Sequence, residues 1–210
     1  MKELVFGWTP SQMDGNEQVF EVSEGLEIPE EYDYTEFLPR VYNQGALPIC
    51  VTCSVGVHLN WNINVDTSTD NTVDSGIRLM DIYRARTNQG DGMTFKEALA
   101  FLRHTGVESN RGLLKIERYA LVHGIEALKA ALILNGPCVG AFLVRNMTEH
   151  FWNPRNGNEN FGGHAISICG YNKEGFIIRN SWGEEWGNNG CTILPYSQFG
   201  YLLEVWTIID

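Results

Sequence analysis

The sequence predicts an α+β protein of two lobes, helical first and antiparallel β second, with a cleft between them. Two changes of texture carry this. Between Cys50 and Gly136 the apolar residues recur at helical spacing, and from Cys138 onward short apolar or alternating runs are separated by Gly and Asn. Helices followed by strands, rather than alternating with them, describe segregated layers. The third observation is size and composition. At 210 residues, 43% hydrophobic and 20% charged, the chain can bury an ordinary core without disulfide staples.

The elements follow in order. Residues 1–40 are rich in Glu, Pro and Gly and weakly periodic, and read as an extended arm over the body, packed on the outside or lying in the cleft. The helical lobe is expected over about 41–134 and the β lobe over about 135–210. Pro48 precedes a buried helix from Cys50 to about Asn62, on the spacing of Val51, Val55, His58 or Leu59, and Asn62 or Ile63. "IRLMDIYRAR" restores helical spacing after a polar loop. "TFKEALAFLRHTG" is a third helix, closed by Gly106 as a left-handed cap, and "GIEALKAALILNG" a fourth. The strands are "CVGAFLV", "HAISICGY", "GFIIRN", "CTILPY" and "LLEVWTII".

A net charge of -11 disfavours phosphate backbones and anionic membrane surfaces, so no nucleic-acid or membrane partner is expected. No apolar signal region is visible at the N-terminus, and the expected location is cytoplasmic. Five cysteines, an odd number, argue against a disulfide framework and leave a free thiol.

The stretch "YNQGALPICVTCS" poses the functional question, because Cys50 and Cys53 could be a metal clip, a redox pair, or a nucleophile with a packing neighbour. A zinc site needs a second ligand pair, which the chain lacks, and a redox CxxC follows a strand in a βαβ unit, whereas these strands come late. No metal or cofactor is expected. Among five histidines, His164 stands apart: it follows Gly162 and Gly163, begins a strand, and lies sixteen residues before Asn180 at the end of another, so the two side chains can meet across a hairpin. Cysteine, histidine and asparagine from separate elements make a nucleophile, a base and an orienting group.

These segments resemble the papain-like cysteine peptidases, and more closely their short prokaryotic and viral members that lack disulfides. The resemblance rests on "NQGALPIC", "GGHAISICGYN" and "IIRNSWGEEWGNNG", in that order, with weaker similarity over most of residues 38–210. It implies a papain-like two-lobe fold with a β-barrel-like second lobe. It also implies hydrolysis of peptide bonds through an acyl-enzyme thioester, on a peptide or protein substrate, by a monomer. Cys50 would be the nucleophile, its thiol lowered from ~8.5 to as little as ~3 to 4 by the helix N-terminus and an imidazolium. His164 would be the base, Asn180 its orienting partner, Trp182 the cover over their hydrogen bond, and Gln44 the side-chain donor to the oxyanion.

By the same resemblance Gly92 would pair its backbone with the substrate, with Met93 beside it. Cys138, Ala141 and Ala165 would line the far wall of a roomy apolar pocket edged by Gly162 and Gly163. Ile49 departs from the family pattern where substrate backbone passes, and Gly163 stands where some relatives carry an acid. Cys53, Cys169 and Cys191 read as small buried side chains. Two further readings stay open: a catalytically silent protein that binds through the cleft, the arm or the loops 66–76 and 145–161, and an acyl transferase of transglutaminase type.

Overall fold

A computed structural model describes residues 5–67, 75–87, 90–154 and 159–210. The expected binding loops fall partly outside these, at 68–74 and 155–158. The helical part holds α1 (Cys50–Thr67), α2 (Leu79–Arg84) and α3 (Phe95–His104). A two-stranded ribbon of β2 (Val107–Ser109) and β3 (Gly112–Leu114) follows. The second part is one antiparallel sheet. Its strands are β4 (Arg118–Leu121), β5 (Cys138–Val144), β6 (Gly162–Tyr171), β7 (Gly175–Arg179), β8 (Cys191–Pro195) and β9 (Glu204–Ile209), in the order β4-β9-β5-β6-β7-β8. β1 (Tyr32–Asp33) of the arm adds to β6, and α4 (Ile125–Asn135) packs on the sheet.

Helix α1 is the central element. Every residue from Cys50 to Asn60 is buried, so it has no solvent face along that length, and its helical form is set by burial from both sides. Its polar members are satisfied locally or by the sheet: Thr52 and Ser54 donate to the carbonyls of Ile49 and Val51, and Ser167 of β6 donates to the Ser54 carbonyl at 3.1 Å. His58 joins α1 to both ends of the sheet lobe, with Nδ1 2.8 Å from the Pro137 carbonyl and Nε2 3.0 Å from the Asp210 carboxylate. Helix α3 is amphipathic and starts with a reciprocal cap, in which the Thr94 hydroxyl accepts the Glu97 N–H and the Glu97 carboxylate accepts the Thr94 N–H. Such a cap contributes about 1 kcal/mol and fixes where the chain before it, Gly92–Met93, enters the cleft.

The boundary between lobes lies upstream of the expected position near 135. β4 pairs with β9 at Arg118↔Ile209 through Leu121↔Trp206, and α4 buries Leu128, Ala131 and Leu132 in one cluster with Cys138, Ile168 and Phe176. The four-residue β4 is too short to declare itself by alternation, and the helical texture of α4 masks its membership of the sheet side.

Residues 5–38 wrap around the body. Val19 bridges to Leu121, Tyr32 pairs with Tyr171, and Tyr34 buries its ring and donates its hydroxyl to the Leu132 carbonyl at 3.0 Å. The first described residues of the arm, Val5 to Thr9, lie in the cleft itself.

Candidate active site

Cys50 is the first residue of α1 and is fully buried. His164 is placed on β6, one residue from the paired alanines Ala141 and Ala165, and is also fully buried. Both stand where α1 packs on β6, at the boundary between the lobes. The sulfur of Cys50 receives backbone hydrogen bonds from Ala165, the neighbour of His164 in sequence, and from Gly7 of the arm.

The ring of His164 is held in one orientation and one tautomer. Nε2 lies 2.7 Å from Asn180 Oδ1, and that same atom accepts the Ser181 backbone N–H at 2.8 Å. A backbone N–H can only donate, so the Asn180 atom facing both groups is oxygen and His164 Nε2 carries the hydrogen. In the neutral ring Nδ1 is then the bare acceptor. It is buried and has no hydrogen-bond partner among the described residues. Phe6, Phe151 and Trp182 wall the ring, with Trp182 tilted 31° at 4.7 Å between centroids. Asn180 follows directly from β7, whose pairing with β6 (Ser167↔Arg179) delivers it to His164. The hairpin expected from the sixteen-residue spacing is therefore present.

Gln44 is buried and fixed at both ends of its amide. Its oxygen accepts the Ser181 hydroxyl at 2.6 Å, while Nε2 donates to the carbonyls of Leu47 and Val5, each at 3.0 Å. Two carbonyl acceptors identify Nε2 unambiguously. Gln44 thus offers an N–H to a carbonyl oxygen in the cleft, and in this structure the carbonyl is the arm's own.

The arm occupies the cleft as an added strand. Trp8 donates its N–H to the Gly163 carbonyl at 3.0 Å, Met93 donates to the Gly7 carbonyl at 2.8 Å, and Thr9 donates to the Met93 carbonyl at 3.1 Å, a parallel bridge. On this edge Met93 makes both of these bonds, and Gly92, expected to pair its backbone with the substrate, also lies against the arm, since a Cβ there would strike the Thr9 side chain at 2.7 Å. Gly162 and Gly163 leave room for Phe6 and Trp8: a Cβ on Gly163 would lie 2.4 Å from the Trp8 carbonyl oxygen. Gly7 passes so close to the Pro48 backbone that a Cβ would sit 2.0 Å from the Pro48 carbonyl oxygen.

Burial has a chemical consequence. Desolvation pushes the Cys50 thiol up, offset in part by the Ala165 and Gly7 hydrogen bonds, and it holds His164 down at about 4 despite its bond to Asn180. Both shifts favour the neutral pair. The thiolate–imidazolium pair expected from the sequence is disfavoured while the arm is seated.

Other expected positions divide. Ala141 and Ala165 share the cleft-side cluster with Trp8, Met93 and Cys50. Cys138 does not: it is on the opposite face of β5, among Val122, Leu128 and Ile168, because alternate residues of a strand face opposite sides. Cys53 is buried in the core, and none of the five cysteines is in a disulfide. Sequence reasoning missed Phe6, Gly7, Trp8, Phe151 and Ser181. The signal for the first three is "FGW", an aromatic–glycine–aromatic triplet in an otherwise polar arm.

Comparison with known proteins supplies the family. Residues 83–198, more than half of the chain, match the model described as papain family cysteine protease. The chain belongs to the papain family of cysteine proteases. The match includes His164 and Asn180, and Gln44 and Cys50 precede it. An uncharacterized peptidase C1-like protein of Acanthamoeba polyphaga mimivirus is 35% identical over 85 residues, 34% of this chain and 26% of that protein. Cathepsin B-like cysteine proteinase 3 of Ostertagia ostertagi is 32% identical over 79 residues, 34% of this chain and 45% of that protein. The alignments thus span less than half of these curated relatives. Among solved structures, xylellain, a cysteine protease from Xylella fastidiosa, superposes with a TM-score of 0.81 over 98% of this chain and 96% of its own, at 22% identity. The papain-like α+β fold is therefore established over nearly the whole chain.

Proposed function

We propose that this chain is a cysteine peptidase that acts through Cys50, His164 and Asn180, with Gln44 as oxyanion donor, and that its own arm holds it latent. The observation that carries the reading is the bare, buried Nδ1 of His164, fixed by the Nε2–Asn180 bond on the side of the cleft where the Cys50 sulfur meets Ala165.

The chemistry follows from those atoms. With the cleft hydrated, the Cys50 proton moves to Nδ1, giving a thiolate at the positive end of α1. The sulfur attacks the substrate carbonyl carbon, and the oxygen takes the negative charge between Gln44 Nε2–H and the Cys50 backbone N–H. His164 then gives its Nδ1 proton to the leaving amine, and the C–N bond breaks to leave a thioester. Water, deprotonated by His164, attacks the thioester and releases the acid and the thiol. Ser181 serves both groups, since its N–H orients Asn180 and its hydroxyl orients Gln44.

The arm imitates part of this pose without completing it. The Val5 carbonyl takes the Gln44 donor, but the group at the Cys50 sulfur is the Gly7 N–H, two residues further on. In this register the arm takes the oxyanion donor two residues from its own N–H at the sulfur, so it blocks the site without reproducing a substrate's pose.

The test is labelling of the full chain with a peptidyl epoxide, followed by mass spectrometry of the modified peptide. Cys50 is expected to be modified far faster than Cys53, Cys138, Cys169 and Cys191, and Cys53→Ala to keep peptide hydrolysis within a few fold while Cys50→Ala abolishes it. Absence of labelling at Cys50 under conditions that release the arm rejects the reading in favour of a silent binding protein.

A further inference from the structure

Three polar contacts between α1 and the sheet lie one helical turn apart. The Cys50 sulfur receives the Ala165 N–H of β6, and the Ser54 carbonyl accepts the Ser167 hydroxyl of β6. The His58 ring meets the Pro137 carbonyl, just before β5, and the Asp210 carboxylate, just after β9. Positions 50, 54 and 58 form one stripe, because residues four apart on a helix stand one above the other. The first contact belongs to the nucleophile. The last joins a buried histidine to an acid, and the peptide hydrolysis proposed for the site uses neither.

Both ring nitrogens of His58 face oxygen. A backbone carbonyl can only accept, so Nδ1 carries hydrogen and donates to Pro137 at 2.8 Å. Nε2 lies 3.0 Å from Asp210 Oδ2, an oxygen that also accepts the Asn62 side-chain amide. Two acceptors do not bond each other, so this contact holds one proton, on the ring or on the carboxyl. Among the described residues no other charged side chain is paired with the ring. Val51, Val55 and Leu59 bury α1, but apolar burial is non-directional and does not fix a helix along a sheet; hydrogen bonds, which need both distance and angle, do. The sheet that His58 grips is the one that carries His164, since β5 pairs Phe142 with His164 and Val139 with Trp206 of β9.

We propose that His58 and Asp210 are positioning residues for the peptidase reaction, a clamp that sets Cys50 against His164 from two turns further along α1. The inference rests on the peptidase reading and adds to it a control of geometry. At about 1.5 Å per residue, Ser54 lies about 6 Å along the axis from both Cys50 and His58. With the Ser54–Ser167 contact as pivot, a displacement of the helix at His58 returns as an equal and opposite one at Cys50. A misplacement of about 1 Å at a reacting atom can cost about 100-fold in rate. The clamp touches no part of the cleft wall, so its loss falls on kcat, through the sulfur–imidazole geometry, and leaves substrate binding in place.

Peptide hydrolysis and hydrogen exchange on the full chain test this together. His58→Gln and Asp210→Asn are each expected to lower kcat about tenfold or more with KM changed less than about threefold, and the double variant to be no worse than either single one. Asp210→Glu, which keeps the acceptor, should recover part of the rate. Val57→Ala is the control: this neighbouring side chain of α1 is buried in a separate cluster with Tyr34 and Leu38, so its loss should lower Tm and leave kcat unchanged. Exchange at the Ala165 N–H, the donor to the Cys50 sulfur, should quicken in folded His58→Gln and not in Val57→Ala. If His58→Gln does not fold, Asp210→Asn, at a side chain 25% exposed, carries the same comparison. An unchanged kcat in the folded variants, or losses that multiply in the double variant, overturns the proposal and leaves His58 a satisfied core side chain. If the chain, Gly7→Val included, hydrolyses no peptide, the peptidase reading fails and exchange alone decides: faster exchange at Ala165 in both clamp variants upholds the clamp, and exchange equal to that of Val57→Ala overturns it.

Discussion

Gly7→Val is the sharpest perturbation of the arm. A Cβ at Gly7 would lie 2.0 Å from the Pro48 carbonyl oxygen and 2.4 Å from its carbon, both backbone atoms that the start of α1 holds in place. Relief to van der Waals distance requires the arm to move by roughly 1.4 Å. Three backbone hydrogen bonds at 2.8 to 3.1 Å, those joining Trp8 to Gly163 and Gly7 and Thr9 to Met93, do not survive a shift of that size. At about 1 kcal/mol each, their loss moves the equilibrium toward the open cleft by about 3 kcal/mol, or roughly 150-fold. Reduced burial of Trp8 adds to this. The expected result is a rise of about 100-fold in the rate at which a peptidyl epoxide modifies Cys50 in the intact chain at about pH 7. Gly200→Ala, whose Cβ meets nothing within 4 Å, is the control and should leave the rate unchanged. An unchanged rate in a folded Gly7→Val protein would refute the assignment of residues 5–9 as the barrier.

Two more outcomes are expected. Gln44→Ala should lower kcat on a peptide substrate by about 100-fold or more with the fold intact, and an unchanged kcat rejects the oxyanion role. The second concerns pH: His164 is held at about 4 in the folded chain against about 6.5 when exposed, so between those values the unfolded chain binds the extra proton. Stability is therefore full above about pH 6.5 and falls as pH is lowered toward 4, by about 3 kcal/mol from this group alone. Glu17, held at about 2 chiefly by Lys96, begins to lose its contribution as pH falls through about 4.5, equally in the native chain and in His164→Gln, and so cancels in the comparison of the two. Urea denaturation at about pH 7 and about pH 4.5 should show a smaller loss in His164→Gln than in the native chain, and equal losses sink the argument.

The sequence carried the order of the two lobes and the residues that converge on the cleft, because both depend on local pattern. The buried helix from Cys50, the strands from Cys138 onward and the glycines before His164 each announce themselves within a few residues. What stayed hidden depends on partners far apart in sequence. The arm's path is set by a parallel bridge between Trp8 and Met93, which no periodicity in residues 1–40 encodes. The place of Gly92 and Met93 at the edge that receives the arm follows from the cap at Thr94, which fixes the start of α3. Cys138 faces away from the cleft wall because it stands an odd number of residues from Ala141 on the same strand. His58 is visible as a histidine within a buried helix, but its meaning needs the fold that brings Pro137 and Asp210 to its ring.

Seating the arm does more than fill space. A steric plug alone would leave a competent thiolate beneath it, free to react whenever the plug breathed. Here the closed site, with Gly7 at the Cys50 sulfur and Phe6 beside Phe151 and Trp182 at the His164 ring, also keeps water from both members of the pair, raising the thiol and lowering the imidazole, so that proton transfer from sulfur to Nδ1 is opposed. Its Val5 carbonyl meanwhile takes the donor that would stabilise the oxyanion. Departure of residues 5–9 thus frees the cleft, releases Gln44 Nε2 and rehydrates Cys50 and His164 in one event. Access and reactivity are coupled through the same few residues, and a substitution that opens the cleft without rehydrating His164 should admit a substrate that the enzyme then fails to cleave.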